Sequence, residues 1–379
     1  MKIRVEISSL AARDLSGVAS YTRLLTEALA AHADTTVRGH YFNFLRRQPQ
    51  PKLGSNKVIR EQNAFFPLRV YAKLQSFGIA LPFDLLRPHV DLTIFPNFAT
   101  WPTSKSRLSA TVIHDLTYLY YPELVEEANL AHLRRVVPRS IEKADIVMTV
   151  SESVKAELVK EFSIAPEKCV VTPIPPSDDF RKKLSKSTLD TIRTKYNIGP
   201  KKYIFFMGNF EPRKNLKALV EAYSHLPETV RNNYRLILAG GRGWKSEDTR
   251  QALDTAIKNG MDIQHIGYIT DTDRAALYQA ASLFVMPSLY EGFGMPVLEA
   301  MASGCPVVAA DVPVLRETGG KAAAYTDTSD PTKFAAVIEK ALRTYPHSKQ
   351  AMLDNVGRFS WDKNTDVLIQ QANKLLSDK

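Results

Sequence analysis

Short apolar runs alternate with amphipathic helical patterns along almost the whole chain. Repeated units of this kind are typical of parallel sheets covered by helices, so the predicted fold class is α/β. The predicted strands are Lys2–Ser8, Thr36–Phe42, Val90–Phe95, Ser109–His114, Asp145–Val150, Cys169–Ile174, Tyr203–Met207, Arg235–Ala239, Ile263–Tyr268, Leu283–Pro287 and Pro306–Ala310.

The length of 379 residues indicates two domains, because single domains commonly hold ~100–200 residues. The alternation is interrupted at Pro175 and Pro176, which precede a highly charged stretch typical of a linker. We therefore predict a first domain at 1–180, a second at 181–360, and a terminal helical segment at 361–379 that packs back on the first domain.

Cysteine content and hydropathy restrict the compartment. The two cysteines, Cys169 and Cys305, cannot form a disulfide framework and lack the spacing of metal ligands. The N-terminal residues lack the apolar core of a signal peptide, and no window approaches the ~20 apolar residues of a membrane span. We expect a cytoplasmic protein.

The formal net charge of +10 indicates an anionic partner: nucleic acid, a membrane face or a phosphorylated substrate. Nucleic acid is disfavoured, because the cations form no dense run and no nucleic-acid-binding motif is present. Residues 65–87 mix large apolar side chains with cations, and Arg134, Arg135 and Arg139 follow. This pattern favours an anionic membrane surface, with a packed helix pair as the alternative.

The segment EGFGMPVLE at 291–299 carries the strongest site signal. Gly292 and Gly294 permit a tight loop before a helix, so that the amides of Phe293–Met295 can face an anion. Glu291 and Glu299 frame this loop, and a carboxylate is well suited to accept two hydrogen bonds from the diol of a ribose or hexose. The alternative is that Glu291 is a helix-start acid and Glu299 a surface residue.

Three other positions follow predicted strands. Arg213 and Lys214 lie between a strand and a helix, where they can contact a diphosphate, although such pairs are usually surface residues. Gly17 opens a helix after the first strand, which fits either a phosphate turn or helix packing. His114 ends an apolar strand and can donate to a sugar hydroxyl, or be structural.

Asp271 and Asp273 form a pair of the kind that can hold a metal bound to a nucleoside diphosphate. They directly precede a helical pattern, where capping explains them better. Since no other metal-binding motif occurs, we predict no required metal ion and no cofactor.

EGFGMPVLE, with GNFEPRKN upstream and ASGCPVVAAD downstream, closely resembles family 4 of the retaining glycosyltransferases, which have the GT-B fold. The likeness covers most of the second domain and extends more thinly to the first through SGVASYTRLLTEAL, DLTIFPN and VIHDLTYLYYP. It implies two Rossmann-like domains facing each other across a cleft, with a nucleotide-sugar donor on the second and the acceptor on the first.

The resemblance also implies residue roles. Glu291 and His114 would contact the transferred sugar, and Glu299 would contact the ribose. The amides of Phe293, Gly294 and Met295 would contact the sugar and the phosphate. Lys214 and Arg213 would bind the diphosphate, and Gly17 would approach the phosphates. Gly208 and Ile269 complete the predicted donor site. Many members have an arginine where this chain has Asn209, and Gly-Gly where it has Ser16-Gly17, so Arg213 is expected to supply the missing charge.

The function predicted from this resemblance is metal-independent, retaining transfer of a hexose. Mannose from GDP-mannose is favoured, and the acceptor is a glycan or lipid-linked oligosaccharide of surface polysaccharide biosynthesis. The enzyme is expected on the cytoplasmic face of the inner membrane. The alternatives are a GT-B nucleotide-sugar epimerase, or a basic membrane- or nucleic-acid-binding protein without transferase activity.

Overall fold

The computed structural model describes residues 1–11, 17–47, 49–64, 67–76, 79, 81–241 and 243–378. Ser16, several residues of the 65–87 segment and Arg242 lie outside this part of the chain. The chain divides into two compact units. The first comprises Met1–Leu119, Glu127–Ile174 and Ser360–Lys379, and the second comprises Tyr120–Glu126 and Pro175–Phe359.

The first unit contains a parallel sheet in the strand order β3-β2-β1-β4-β5-β6-β7. Its strands are β1 (Lys2–Glu6), β2 (Thr36–Phe42), β3 (Ile59–Asn63), β4 (Val90–Phe95), β5 (Ser106–Ile113), β6 (Ile146–Thr149) and β7 (Cys169–Val171). The helices of this part of the chain are α1 (Gly17–Ala31), α2 (Leu68–Ser76), α3 (Thr117–Tyr120), α4 (Glu127–Lys143) and α5 (Glu152–Phe162).

The second unit contains a parallel sheet in the order β10-β9-β8-β11-β12-β13. Its strands are β8 (Lys202–Met207), β9 (Tyr234–Ala239), β10 (Ile263–Gly267), β11 (Leu283–Met286), β12 (Val307–Ala310) and β13 (Ala324–Thr326). Its helices are α6 (Lys186–Lys195), α7 (Leu216–His225), α8 (Glu228–Asn233), α9 (Glu247–Lys258), α10 (Asp271–Ala280), α11 (Met295–Ala302), α12 (Pro313–Gly319), α13 (Pro331–Arg343) and α14 (Lys349–Val356).

The last helix, α15 (Trp361–Ser377), belongs to the first unit. Asn364 Nδ2 donates to the Pro173 carbonyl at 2.6 Å, and the ring centroid of Trp361 lies 5.9 Å from that of Tyr21 on α1. The division before this helix falls at Ser360, and the earlier one falls at Pro175, six residues before the predicted start of the second domain. The separate assignment of Tyr120–Glu126 to the second unit was not predicted.

Most central strands are largely apolar because helices cover both faces of a parallel sheet. Tyr203–Phe206 of β8 are all buried, and so are all residues of β11 and β12. The two strands that the pattern missed are sheet edges: β3 reads IREQN, and β13 has three residues. An edge strand has fewer neighbours to exclude water, so polar residues and short length are tolerated there.

In each sheet the strand order reverses once, between β1 and β4 and between β8 and β11. The carboxyl ends of the strands beside such a reversal form a crevice in which α/β proteins bind ligands. At the β8 end, Gly240 approaches so closely that a Cβ there would lie 2.0 Å from the Gly208 carbonyl oxygen, and its φ is +141°.

We expect Gly240→Ala to lower the free energy of unfolding of the second unit by about 3 kcal/mol or more, because the methyl group collides with backbone in a conformation that alanine disfavours. Urea denaturation followed by circular dichroism measures this. Gly241→Ala is the matched control: among the described residues, its Cβ meets the Asn209 side chain at 3.3 Å and no backbone. Equal stability of the two variants would contradict the close approach at Gly240.

Candidate active site

The loops that follow β8 and β11 lie side by side in the second unit. After Gly208, the first loop forms a 3-10 turn at Pro212–Lys214, and Asn215 takes a left-handed conformation with φ +51° before α7 begins. The amide of Leu289 in the second loop donates to the Arg213 carbonyl at 2.8 Å. This contact joins the predicted diphosphate motif to the segment that carries Glu291.

Glu291 is held by two cations. Lys214 Nζ donates to Glu291 Oε1 at 2.6 Å, and Arg213 Nη1 donates to Oε2 at 2.9 Å. Arg213 Nε donates to Glu211 Oε2, also at 2.9 Å. Glu211, Lys214 and Glu291 are all buried. We call these four residues, Glu211, Arg213, Lys214 and Glu291, the ion cluster.

The ion cluster keeps Glu291 ionised. Burial alone would raise the pKa of this carboxyl, but the charges and hydrogen bonds of Lys214 and Arg213 outweigh it and lower the pKa to about 2. Glu291 is therefore a hydrogen-bond acceptor at neutral pH, which suits contact with the hydroxyls of a sugar. The interpretation of Glu291 as a simple helix-start acid does not fit this environment.

The two carboxylates of the ion cluster balance its two cations. Arg213, which was expected to supply the charge that Asn209 lacks, is thus already paired with Glu211 and Glu291. Asn209 uses its side-chain oxygen to accept from the Gly241 amide at 3.2 Å. The role of Glu211 was missed from the sequence, although it lies two residues before Arg213 within GNFEPRKN.

The loop after β11 turns into α11 at Gly294, whose φ is +91°. This positive φ favours glycine, and a Cβ at this position would lie 2.7 Å from Leu315 Cδ2, so the end of that side chain would have to shift. Within the described residues, no acceptor is found for the backbone amides of Phe293–Met295. These amides and the positive end of the helix dipole form a local environment that suits an anion.

Glu299 is buried, with 4% of its surface exposed, so its interpretation as a surface residue is wrong. Arg274 Nη1 donates to its Oε1 and the Tyr278 hydroxyl donates to its Oε2, both at 3.1 Å. Burial raises the pKa of Glu299, while Arg274 opposes the shift. Arg274 and Tyr278 were missed from the sequence, although their i, i+4 spacing places them on one face of α10.

Gly208 and Ile269 lie at the carboxyl ends of β8 and β10. A Cβ at Gly208 would lie 3.6 Å from Lys214 Cε, an ordinary van der Waals contact, so Gly208 is next to the lysine. Ile269 is 4% exposed, which leaves its backbone rather than its side chain for ligand contact.

The remaining two predicted residues, Gly17 and His114, lie in the first unit. Gly17 begins α1, and a Cβ there would meet no atom of the described residues within 4 Å. Tyr21, one turn later, places its ring edge-on to His114 at a centroid distance of 5.0 Å. The structure therefore brings the start of α1 and the end of β5 together.

His114 is in hydrogen-bond contact with a carbonyl, which defines its tautomer. Its Nε2 lies 2.8 Å from the Pro96 carbonyl oxygen, so Nε2 carries the hydrogen and donates. Burial lowers the pKa of His114 against the opposing effects of Pro96 and Asp115. In this neutral form Nδ1 is an acceptor, so a ligand hydroxyl at Nδ1 would donate to His114. The contact of His114 with the transferred sugar stays a prediction.

Asp271 and Asp273 have partners other than a metal. Asp271 pairs with Arg274 at 2.9 Å, and Asp273 accepts from Lys195 at 2.5 Å and from the Tyr196 hydroxyl at 2.7 Å. Among the residues that the structure describes, no cluster of three or more His, Cys, Asp or Glu side chains suits a metal ion. The helices of that same part of the chain include none with the length and apolar character needed to cross a membrane.

Comparison with known proteins gives matches over both units. The model "Glycosyl transferases group 1" matches residues 189–355, and "Glycosyltransferase Family 4" matches residues 15–175. O-antigen chain mannosyltransferase B of Escherichia coli is 30% identical over 341 residues, which cover 89% of this chain and 84% of that protein. O-antigen chain mannosyltransferase RfbU of Salmonella typhimurium is 26% identical over 257 residues, 68% of this chain and 67% of that protein.

Among solved structures, sucrose-phosphate synthase of Thermosynechococcus elongatus aligns with 100% of this chain and 99% of its own, with a TM-score of 0.71 and 19% identity. This likeness concerns the fold and agrees with the two parallel sheets described above. Since sequence matches cover both units and a relative is 30% identical over most of both chains, the chain belongs to the group 1 and family 4 glycosyltransferases and has the GT-B fold.

Proposed function

We propose that this glycosyltransferase transfers mannose from GDP-mannose, with retention of anomeric configuration, to a glycan or lipid-linked acceptor of surface polysaccharide. The observation that carries the proposal is an ionised, buried Glu291 in contact with Lys214 and Arg213, next to the start of α11. Mannose is favoured because both curated relatives described above are named as O-antigen mannosyltransferases.

Donor binding uses three parts of the second unit. Glu291 accepts from hydroxyls of the transferred sugar, and Glu299, oriented by Arg274 and Tyr278, accepts from the ribose diol. The amides of Phe293–Met295 face the sugar and phosphate. Gly208 and the Ile269 backbone border the same site. In the first unit, Gly17 allows close approach to the phosphates, and His114 accepts from a hydroxyl of the transferred sugar.

The reaction breaks the bond between the sugar anomeric carbon and the diphosphate oxygen, and forms a bond from that carbon to the acceptor oxygen on the same face. The acceptor proton passes to the departing diphosphate oxygen. Arg213, Lys214 and the amides at the start of α11 stabilise the negative charge that grows on the diphosphate. Because these groups supply the stabilisation, no metal ion is required in the proposed reaction.

A peripheral position on the cytoplasmic face of the inner membrane is part of the proposal. Several large apolar side chains of the 65–87 segment are exposed, Leu86 to 81% and Ile79 to 52%. Arg134, Arg135 and Arg139 on α4 are exposed as well. Apolar side chains combined with cations favour binding to an anionic bilayer that carries the acceptor.

We expect the protein to transfer radiolabelled mannose from GDP-mannose in the presence of EDTA, with an α-anomeric product identified by NMR. Glu291→Gln should lower kcat/KM at least about 100-fold, because the amide cannot replace the charge and acceptor pattern of the carboxylate. Asp311→Asn, which alters an exposed carboxylate after β12, is the control and should remain active. A free epimerised sugar nucleotide, an inverted product or an active Glu291→Gln variant would contradict the proposal.

Lys214→Met should lower the free energy of unfolding by about 3–5 kcal/mol, because it leaves a buried carboxylate short of one partner. Adding Glu291→Gln should recover most of this loss, since Arg213 then remains paired with Glu211 alone. Urea denaturation of the single and double variants measures the coupling, and transfer assays run in parallel. We expect the double variant to be stable and inactive; recovery of activity together with stability would show that the ion cluster is only structural.

A thermal-shift panel of GDP-, UDP-, dTDP- and ADP-sugars tests the donor. At about 100 times its Kd, GDP-mannose should raise Tm by about 5 °C or more, because a ligand that binds only the folded state stabilises it. Glu299→Gln should reduce this shift by weakening the ribose contact. If a UDP-, dTDP- or ADP-sugar raised Tm more than GDP-mannose, that sugar nucleotide would replace GDP-mannose as the proposed donor.

Flotation with vesicles containing phosphatidylglycerol tests the membrane proposal. Leu85→Glu should reduce the bound fraction about fivefold or more at low salt, because it places a charge in the apolar surface. Val367→Glu on α15 is a matched control, since Leu85 and Val367 are both 49% exposed. Absence of wild-type flotation, or equal loss in both variants, would argue against membrane binding by this surface.

A further inference from the structure

Helix α12 (Pro313–Gly319) lies against the loop that carries the anion-facing amides. A Cβ at Gly294 of that loop would lie 2.7 Å from Leu315 Cδ2 of the helix. Thr318 follows Leu315 by three residues, on the same helix face, and is fully buried. Its hydroxyl donates to the Phe293 carbonyl. A side chain of α12 therefore holds one peptide unit of the loop.

This use of the hydroxyl differs from that of other helical threonines in the chain. A threonine hydroxyl inside a helix commonly donates to the carbonyl four residues earlier. Thr26 on α1 and Thr191 on α6 do so, at 2.6 and 2.9 Å. Thr318 instead donates to a residue of another element, 25 positions away in the sequence. The buried hydroxyl thus supports the loop rather than its own helix.

The hydrogen bond fixes the direction of the Gly294 amide. The Phe293 carbonyl and the Gly294 N–H belong to the same peptide unit, and no peptide bond of the described residues is cis. In a trans peptide the C=O and the N–H point in opposite directions. Because Thr318 holds the carbonyl toward α12, the Gly294 N–H points away from that helix. This amide is one of the three that suit an anion at the start of α11.

The end of α12 is itself held in place. Asn355 Nδ2 of α14 donates to the Thr318 carbonyl at 2.9 Å. The Tyr325 hydroxyl lies within hydrogen-bond distance of the Leu315 and Gly320 carbonyls, at 3.2 and 2.7 Å. These contacts fix the position of the Thr318 hydroxyl relative to the loop. An amide that is directed in advance stabilises charge without reorganising during the reaction.

We infer that Thr318 is a positioning residue for glycosyl transfer: its hydroxyl directs the Gly294 amide at the departing diphosphate. The inference rests on the proposed function, because it assigns a supporting residue to that reaction. Thr318 is buried and acts through the peptide unit between Phe293 and Gly294. Since negative charge on the diphosphate grows as the sugar bond breaks, a directed amide contributes more to the transition state than to donor binding.

Thr318→Val tests the inference, because valine has nearly the same shape and lacks the hydroxyl. We expect kcat for mannose transfer from GDP-mannose to fall about tenfold or more, a larger change than that in KM. Thr318→Ser keeps the donor and should remain close to wild type. Thr326→Val is the matched control: Thr326 is also buried in the second unit, and its hydroxyl donates to the Asp327 carbonyl at 3.2 Å.

A second pair of variants keeps the test decisive if urea denaturation shows that Thr318→Val does not fold. Thr318→Cys and Thr318→Ser differ only in the donor atom, and a thiol is a weak donor. The kcat of Thr318→Cys should be lower than that of Thr318→Ser by about threefold or more. A merely structural role would change the free energy of unfolding without separating the kcat values of the folded variants.

Titration with GDP, UDP, dTDP and ADP adds a binding measurement that does not depend on transfer. The terminal phosphate of a nucleoside diphosphate carries the charge that develops in the reaction. Thr318→Val should therefore raise the Kd of the diphosphate that wild type binds best by about threefold or more. Thr318→Ser and Thr326→Val should leave this Kd unchanged.

The inference is overturned if folded Thr318→Val matches Thr326→Val in kcat and in Kd, or if Thr318→Cys and Thr318→Ser have equal kcat. Wild-type transfer from GDP-mannose reports on the proposed function separately. If wild type binds another diphosphate best and does not use GDP-mannose, the proposed donor is wrong, and the Kd comparison still decides the role of Thr318.

Discussion

The pairing of Glu291 with Lys214 and Arg213 is the interaction on which the second unit's site depends. Removing a single partner would leave a buried charge short of a partner, at a cost of about 3–5 kcal/mol. The backbone around it has the conformations needed to bring these side chains together: a 3-10 turn before the left-handed Asn215, and a left-handed Gly294 after the acid. The conformations of these two loops thus position one buried set of charges.

The pattern of apolar runs was sufficient to predict the α/β class, because central strands of a parallel sheet bury both faces. Edge strands such as β3 (Ile59–Asn63) tolerate polar residues, and the polar sequence of β3 is the reason why the pattern of apolar runs did not predict it. The glycines and acids of the 291–299 segment were recognised because their types and spacing suit one chemistry. Arg274 and Tyr278 were not, because a residue that orients another depends on a tertiary contact between α10 and α11.

The cations of this chain, whose net charge is +10, lie in different surroundings. Where cations are buried they are matched: Arg4 of β1 is fully buried and pairs with Glu61 and Asp84, as Lys214 pairs with Glu291. Arg135, Arg139 and Lys143 of α4 are instead exposed and lie along one helix face. A surface charge of this kind attracts anions over a distance of about 10 Å at moderate salt, whereas a balanced internal cluster does not.

The membership of α15 in the first unit has a consequence for synthesis. The chain leaves that unit at Pro175 and returns to it only at Ser360. During translation, all of the second unit's sheet has therefore been made before the ribosome delivers the helix that packs beside Tyr21 and Pro173. The second unit can complete its core first, while the first must wait with an uncovered apolar surface, which makes it the part of the nascent chain in greater need of a chaperone.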